Sequence, residues 1–142
     1  MFRIFKKENS SLNLVLVLIL SGCASIVGVQ GLHTYEGEKK PDAQLATIVQ
    51  TEDPNIQGNG YFIGVDGVEY GGYFAGHPRI VKMLPGQHYV TYECVLHPSG
   101  MRARIRTRFN FEAGKFYGLF CEEKTFGLAT PIVKSYGTTR PI

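Results

Sequence analysis

The chain has no tryptophan, only three cysteines and only three methionines in 142 residues. Three cysteines with no C-x-x-C pair and no H-E-x-x-H run exclude the usual zinc frameworks. Charged residues make up just 19%, yet nine Phe and eight Tyr rule out the composition of a disordered chain. The longest apolar stretch, Leu12 to Leu20, runs nine residues and is broken by Asn13. A bilayer-spanning helix needs about 20, so no such helix is encoded. No stretch carries 3.6-residue apolar spacing, and there is no internal repeat. Seventeen Gly and seven Pro point instead to turns and short strands.

What is present begins with a targeting segment. Arg3, Lys6 and Lys7 form a positive n-region, Leu12–Leu20 an apolar h-region, and Ser21-Gly22 the small residues before Cys23. That order is the pattern of a secretory signal peptide. Leu20-Ser21-Gly22-Cys23 resembles the lipobox of bacterial lipoproteins. The resemblance implies cleavage before Cys23 and acylation of its sulfur and its new amine. Two or three acyl chains anchor stably where one binds only marginally. Ala24 follows where inner-membrane Gram-negative lipoproteins carry Asp, which implies sorting to the outer membrane. Removing 1–22 leaves twelve basic and eleven acidic residues. The mature chain is therefore near neutral, and nucleic acid is not an expected partner.

Residues 23–42 read as a lipid-anchored flexible tether, whose length of about 20 residues spans roughly 25 Å. The remainder, 43–142, reads as an all-β domain, a small antiparallel β-sandwich. Strands are predicted at 43–51, 58–65, 68–70, 79–84, 87–97, 101–111, 115–123 and 130–136. Asp66-Gly67 marks a two-residue hairpin. Pro85-Gly86, Pro98-Ser99-Gly100 and Ala113-Gly114 mark further turns.

Segment 101–111 fixes faces. Met101, Ala103, Ile105, Thr107, Phe109 and Phe111 alternate with Arg102, Arg104, Arg106, Arg108 and Asn110. One face is core and the other carries four arginines in a row roughly 20 Å long. Pairing His97 with Arg102 sets Cys94 opposite Ile105, Val90 opposite Phe109 and Glu93 opposite Arg106, around a loop at 98–101. Pairing His97 with Met101 opposes apolar residues to arginines, because a one-residue slip reverses every side chain.

Val65-Asp66-Gly67, His77-Pro78 and Leu84-Pro85-Gly86-Gln87-His88-Tyr89-Val90 resemble the hairpin, turn and strand motifs of PEGA-type domains. Phe109–Phe116 with Tyr117 resembles the closing hairpin of related small Gram-negative lipoproteins. Together these cover about half of the mature chain. The resemblance implies a PEGA or transthyretin-like sandwich with a binding or scaffolding role and no enzyme activity. It also implies that His88 packs at the turn.

Arg102, Arg104, Arg106 and Arg108 are the candidate interaction face. Arginine suits bidentate contact with phosphate and carboxylate, as found in lipopolysaccharide, peptidoglycan or an acidic envelope protein. A solvated, aggregation-resistant sheet face, tempered by Glu93 and Glu122, is the competing reading. Cys94 and Cys121 form an even pair in an oxidising compartment. A simple meander of their strands sets them about 9.6 Å apart, beyond disulfide reach; a bond requires a crossover or a strong curl. Tyr61, Phe62, Tyr70, Tyr73 and Phe74 read as core or as a docking tip. The four histidines make no metal pattern, no nucleophile motif is present, and no cofactor is expected. The function expected is a non-enzymatic outer-membrane lipoprotein, periplasm-facing, accessory to an envelope assembly; binding of an anionic envelope polymer is the alternative.

Overall fold

The computed structural model describes residues 31–142 except Tyr73 and Phe126. The signal-peptide and Cys23 readings lie outside the described residues. Nine strands follow in order: β1 (Leu32–His33), β2 (Ala46–Val49), β3 (Gly58–Val65), β4 (Val68–Glu69), β5 (Ile80–Met83), β6 (Gly86–Leu96), β7 (Arg102–Phe111), β8 (Phe116–Thr125) and β9 (Leu128–Ser135). A short 3-10 turn at Asp42–Gln44 precedes β2. The all-β expectation holds.

The strands run β1-β5-β2-β8-β3-β6-β7, with β4 paired to β3 and β9 to β8. Two short pairs, β1 with β5 and β2 with β8, are parallel, so the sheet is mixed rather than purely antiparallel. Two leaves result, one of β3, β4, β6 and β7, the other of β1, β2, β5, β8 and β9. They join where Gly58 and Asn59 pair with Cys121 and Phe120. Two glycines allow that fold-over. A Cβ at Gly58 would stand 2.4 Å from the Cys121 sulfur, and one at Gly60 would stand 2.6 Å from the Leu119 carbonyl oxygen.

The core lies between the leaves. Tyr92, Phe111, Tyr117 and Leu96 are at or near full burial in it, each worth about 1.5–3 kcal/mol relative to exposure. The Tyr92 hydroxyl donates to the Phe120 carbonyl at 2.7 Å, so its polar end is satisfied inside the apolar layer.

The Asp66-Gly67 hairpin forms as expected, with φ of 51° and 87° and Val65 paired to Val68. Both positive φ values match the two-residue turn that suits strand twist. The β6–β7 hairpin corrects the expected register by two residues. Cys94 faces Ala103, Tyr92 faces Ile105, Val90 faces Thr107 and Glu93 faces Arg104. A shift of two preserves which face each side chain occupies, so hydrophobic patterning does not separate the two registers. The turn does. Leu96 N–H donates to Met101 O at 2.9 Å, and Gly100 N–H, at φ 69°, donates to Leu96 O at 2.8 Å. The loop is therefore 97–100 rather than 98–101.

The end of the supposed tether is also corrected. Leu32 and His33 pair with Val81 and Lys82, and Leu32 packs on the core. A two-residue strand is too short to leave a periodic signal. The domain therefore begins before residue 42.

Candidate interaction face

β7 sits at one end of the sheet order, bonded to β6 alone. Its residues 102–111 alternate as the sequence reading required, with Arg102, Arg104, Arg106 and Arg108 exposed and Ile105 and Phe111 buried. The outward residues of β6 opposite them are Val95, Glu93, Thr91 and Tyr89.

Each arginine meets a different partner. Arg102 donates to Glu93 at 3.3 Å. Arg104 is ion-paired with Glu69, carried across from β4. Arg106 lies over the Tyr89 ring, its guanidinium carbon 4.7 Å from the centroid, and Arg108 approaches the same ring at 5.9 Å. Arg108 also donates to Gln87. Exposed cation–π contacts are worth about 0.5–1 kcal/mol, and exposed ion pairs about 0–1. Among the described residues, Arg106 and Arg108 have no carboxylate in salt-bridge contact. Asp66 feels Arg106 only as one of its weaker influences, being already bound by His88 and the Tyr89 amide. Two positive charges thus flank an aromatic ring that is 43% exposed.

Beside them lies a shallow cleft of about 390 Å³, bounded by Gly64, Val68, Glu69, Thr91, Arg104 and Arg106. Glu122 does not join the face. It pairs with Lys124 at 3.2 Å and stands opposite Thr130 on β9, because β8 returns to the middle of the sheet instead of lying beside β7. Glu69 and Tyr89 were not singled out from sequence. Tyr89 shares the outward parity of Glu93, so the strand period held the signal. Glu69 is delivered by the hairpin's geometry, which periodicity does not report.

Cys94 and Cys121 are joined by a disulfide, with Cα atoms 6.2 Å apart. Folding of the sheet at β3 supplies the curl that a flat meander lacks. His88 does pack at the turn. Its Nδ1 meets Asp66 Oδ2 at 2.6 Å and its Nε2 meets the Leu84 carbonyl at 2.9 Å. His77 bonds the Phe62 carbonyl at 3.0 Å and reaches Glu93 at 3.7 Å. Among the described residues, no group of three His, Cys, Asp or Glu is placed around a common metal position. Of the aromatic set, Phe62 is core, Tyr70 packs on the core, Tyr61 lies against His77, and Phe74 is exposed at the loop tip. Tyr73 lies outside the described residues. Among the described residues no helix is long and apolar enough to cross a membrane.

No protein-family model, no curated protein and no solved structure matches the chain.

Proposed function

We propose that the chain is a non-enzymatic lipoprotein, acylated at Cys23 and held at the outer membrane facing the periplasm, where it serves as an accessory or scaffolding subunit of an envelope assembly. The observation that carries the address is the n-region, h-region and Leu20-Ser21-Gly22-Cys23 in unbroken order. The PEGA-like turn motifs support a binding role in place of catalysis. The interaction surface is the outward face of β6 and β7, where Arg106 and Arg108 flank Tyr89. Aromatic and arginine anchors dominate protein interfaces, and this face offers both with their spacing fixed by paired strands.

Two measurements test this reading. Replacing Cys23 with Ala removes metabolic palmitate label and membrane association; persistence of both overturns the anchor. Pull-down of the intact lipidated protein from detergent-solubilised membranes recovers a partner. Arg106→Ser with Arg108→Ser reduces that recovery while leaving the fold intact, since both side chains are exposed. Unchanged recovery leaves a solvated sheet face. Binding of lipopolysaccharide or peptidoglycan through the same row is the alternative, favoured by the two arginines without carboxylate partners. It differs in salt response: polyanion binding weakens steeply as salt rises, whereas a packed interface around Tyr89 does so less.

A further inference from the structure

A second concave surface lies at the β1 end of the sheet order. Residues of β1, β2 and β5, the 39–42 turn and the C-terminal tail enclose a cleft of about 510 Å³, within the size range of small-ligand sites. Four cationic side chains line it, those of Lys39, Lys40, Lys82 and Arg140, against a single carboxylate, Asp42. Asp42 bonds the Lys82 ammonium at 2.6 Å. Among the described residues, Lys40 and Arg140 have no carboxylate in salt-bridge contact. Glu36 and Glu38 belong to the same segment but do not line the cleft.

The local field is positive. Burial, then the ammonium charges of Lys82 and Lys39, hold the His33 imidazole below its ordinary value, with Asp42 opposing. His33 is oriented by the Tyr35 hydroxyl at 3.0 Å from Nδ1. Three lysines and an arginine lining one cleft present many donors, and Asp42 is the one carboxylate among the lining side chains. That arrangement suits the several oxygens of a phosphate group better than one carboxylate. Asp42 on Lys82 shows that an anionic oxygen sits comfortably there.

We infer that this cleft binds a phosphate-bearing anion, and that its source is the headgroup of an anionic phospholipid in the leaflet that holds the anchor. The choice of source rests on the lipidation of Cys23 proposed above; the anion site does not. Gly31 lines the cleft and follows Cys23 by eight positions. Eight residues reach at most about 28 Å when extended. The cleft therefore lies within reach of the headgroup layer, and a basic site near anionic lipid adds to the hold of the acyl chains.

The test uses the lipidated protein in neutral detergent, with inorganic pyrophosphate as probe. The readout is the acylation rate of Lys40 by a water-soluble succinimidyl ester, followed by mass spectrometry, with the exposed Lys124 as internal reference. Pyrophosphate slows labelling of Lys40 and not of Lys124. Arg140→Gln, a change at an exposed tail residue, weakens the apparent affinity by about tenfold, the scale of one hydrogen bond to a charged group. Equal Lys40 labelling with and without saturating pyrophosphate overturns the site. For the source, the same protein is reconstituted in phosphatidylcholine vesicles with and without phosphatidylglycerol. Protection of Lys40 with phosphatidylglycerol supports the headgroup; protection by pyrophosphate alone overturns the lipid source and assigns the cleft to a free phosphate compound. Palmitate on Cys23, measured in the same sample, reports separately on the anchor.

Discussion

Asp66 carries three structural duties with one short side chain. It occupies a left-handed φ of 51°, which Asp tolerates better than most residues. One carboxylate oxygen accepts from the Tyr89 amide at 2.9 Å and the other meets His88 Nδ1 at 2.6 Å. Burial pushes its carboxyl up, but the bonds from His88 and Tyr89 outweigh that, and the net direction is below the ordinary 3.8. A carboxylate with a lowered folded pKa contributes stability above its unfolded pKa and loses it as pH falls through the folded pKa. Replacing Asp66 with Ala is expected to cost about 0.5–1.5 kcal/mol at neutral pH, the range for a hydrogen bond at a half-exposed site. Denaturant midpoints at pH 7 and near pH 3 check this: the gap between wild type and variant narrows at the acid end. A gap independent of pH assigns the loss to turn geometry alone.

At the scale of elements, the crossing of β8 over β6 depends on β3 having no side chain at two alternate positions. Gly60 faces the Leu119 backbone, where an added Cβ meets carbonyl oxygen and carbon at 2.6 and 2.8 Å. Backbone atoms do not yield as a flexible side chain does, so Gly60→Ala is expected to destabilise by about 1–3 kcal/mol. Thermal unfolding of the variant measures it, and an unchanged midpoint refutes the close crossing. Much of the element order was legible beforehand. The hairpin at Asp66-Gly67, the strand at 58–65 and the arginine alternation in β7 each follow from local chemistry or a two-residue period. What escaped is what periodicity does not encode. The β6–β7 register slid by two because faces are conserved under an even shift. The position of β8 beside β2 and β3 depends on contacts distant in sequence, and β1 is too short to register. Of the candidate face, the four arginines were legible, whereas Glu69 awaited the hairpin that carries it over. The loop before β3 is fixed by Asp53, whose carboxylate holds Lys134 of β9 and accepts from the Asn55 amide at 3.0 Å. Those bonds, Lys134 first and then Asn55, set its carboxyl below the ordinary value. Asp53→Ala is expected to loosen residues 50–57, read as faster amide exchange of Ile56, whose N–H bonds the Asp53 carbonyl at 3.0 Å.

For the whole molecule the decisive link is between leaves. Few ladder bonds join them directly: among the described residues β3 meets β8 only at Gly58 and Asn59. Cohesion across the core therefore falls to buried apolar contact and to the Cys94–Cys121 disulfide, which ties β6 to β8. Its sequence separation is 27 residues, and in the chain-entropy account a loop of that length contributes about 3–4 kcal/mol. A domain of this size has a net stability of about 5–15 kcal/mol, so that contribution is a large share. Cys94→Ala with Cys121→Ala is the cleaner probe, since it avoids a free buried thiol reacting elsewhere. Both positions are fully buried, so the variant also loses two sulfur atoms from the packed layer, which adds to the deficit. The expectation is a denaturant midpoint shifted strongly downward with an all-β circular dichroism spectrum retained at low denaturant. Reduction of the wild-type protein under mildly denaturing conditions should reproduce most of that shift, because it opens the same loop while leaving the sulfur atoms in place. If the reduced wild type matches the oxidised protein in stability while the double variant does not, packing at Cys94 and Cys121, and not closure of the loop, holds the two leaves together.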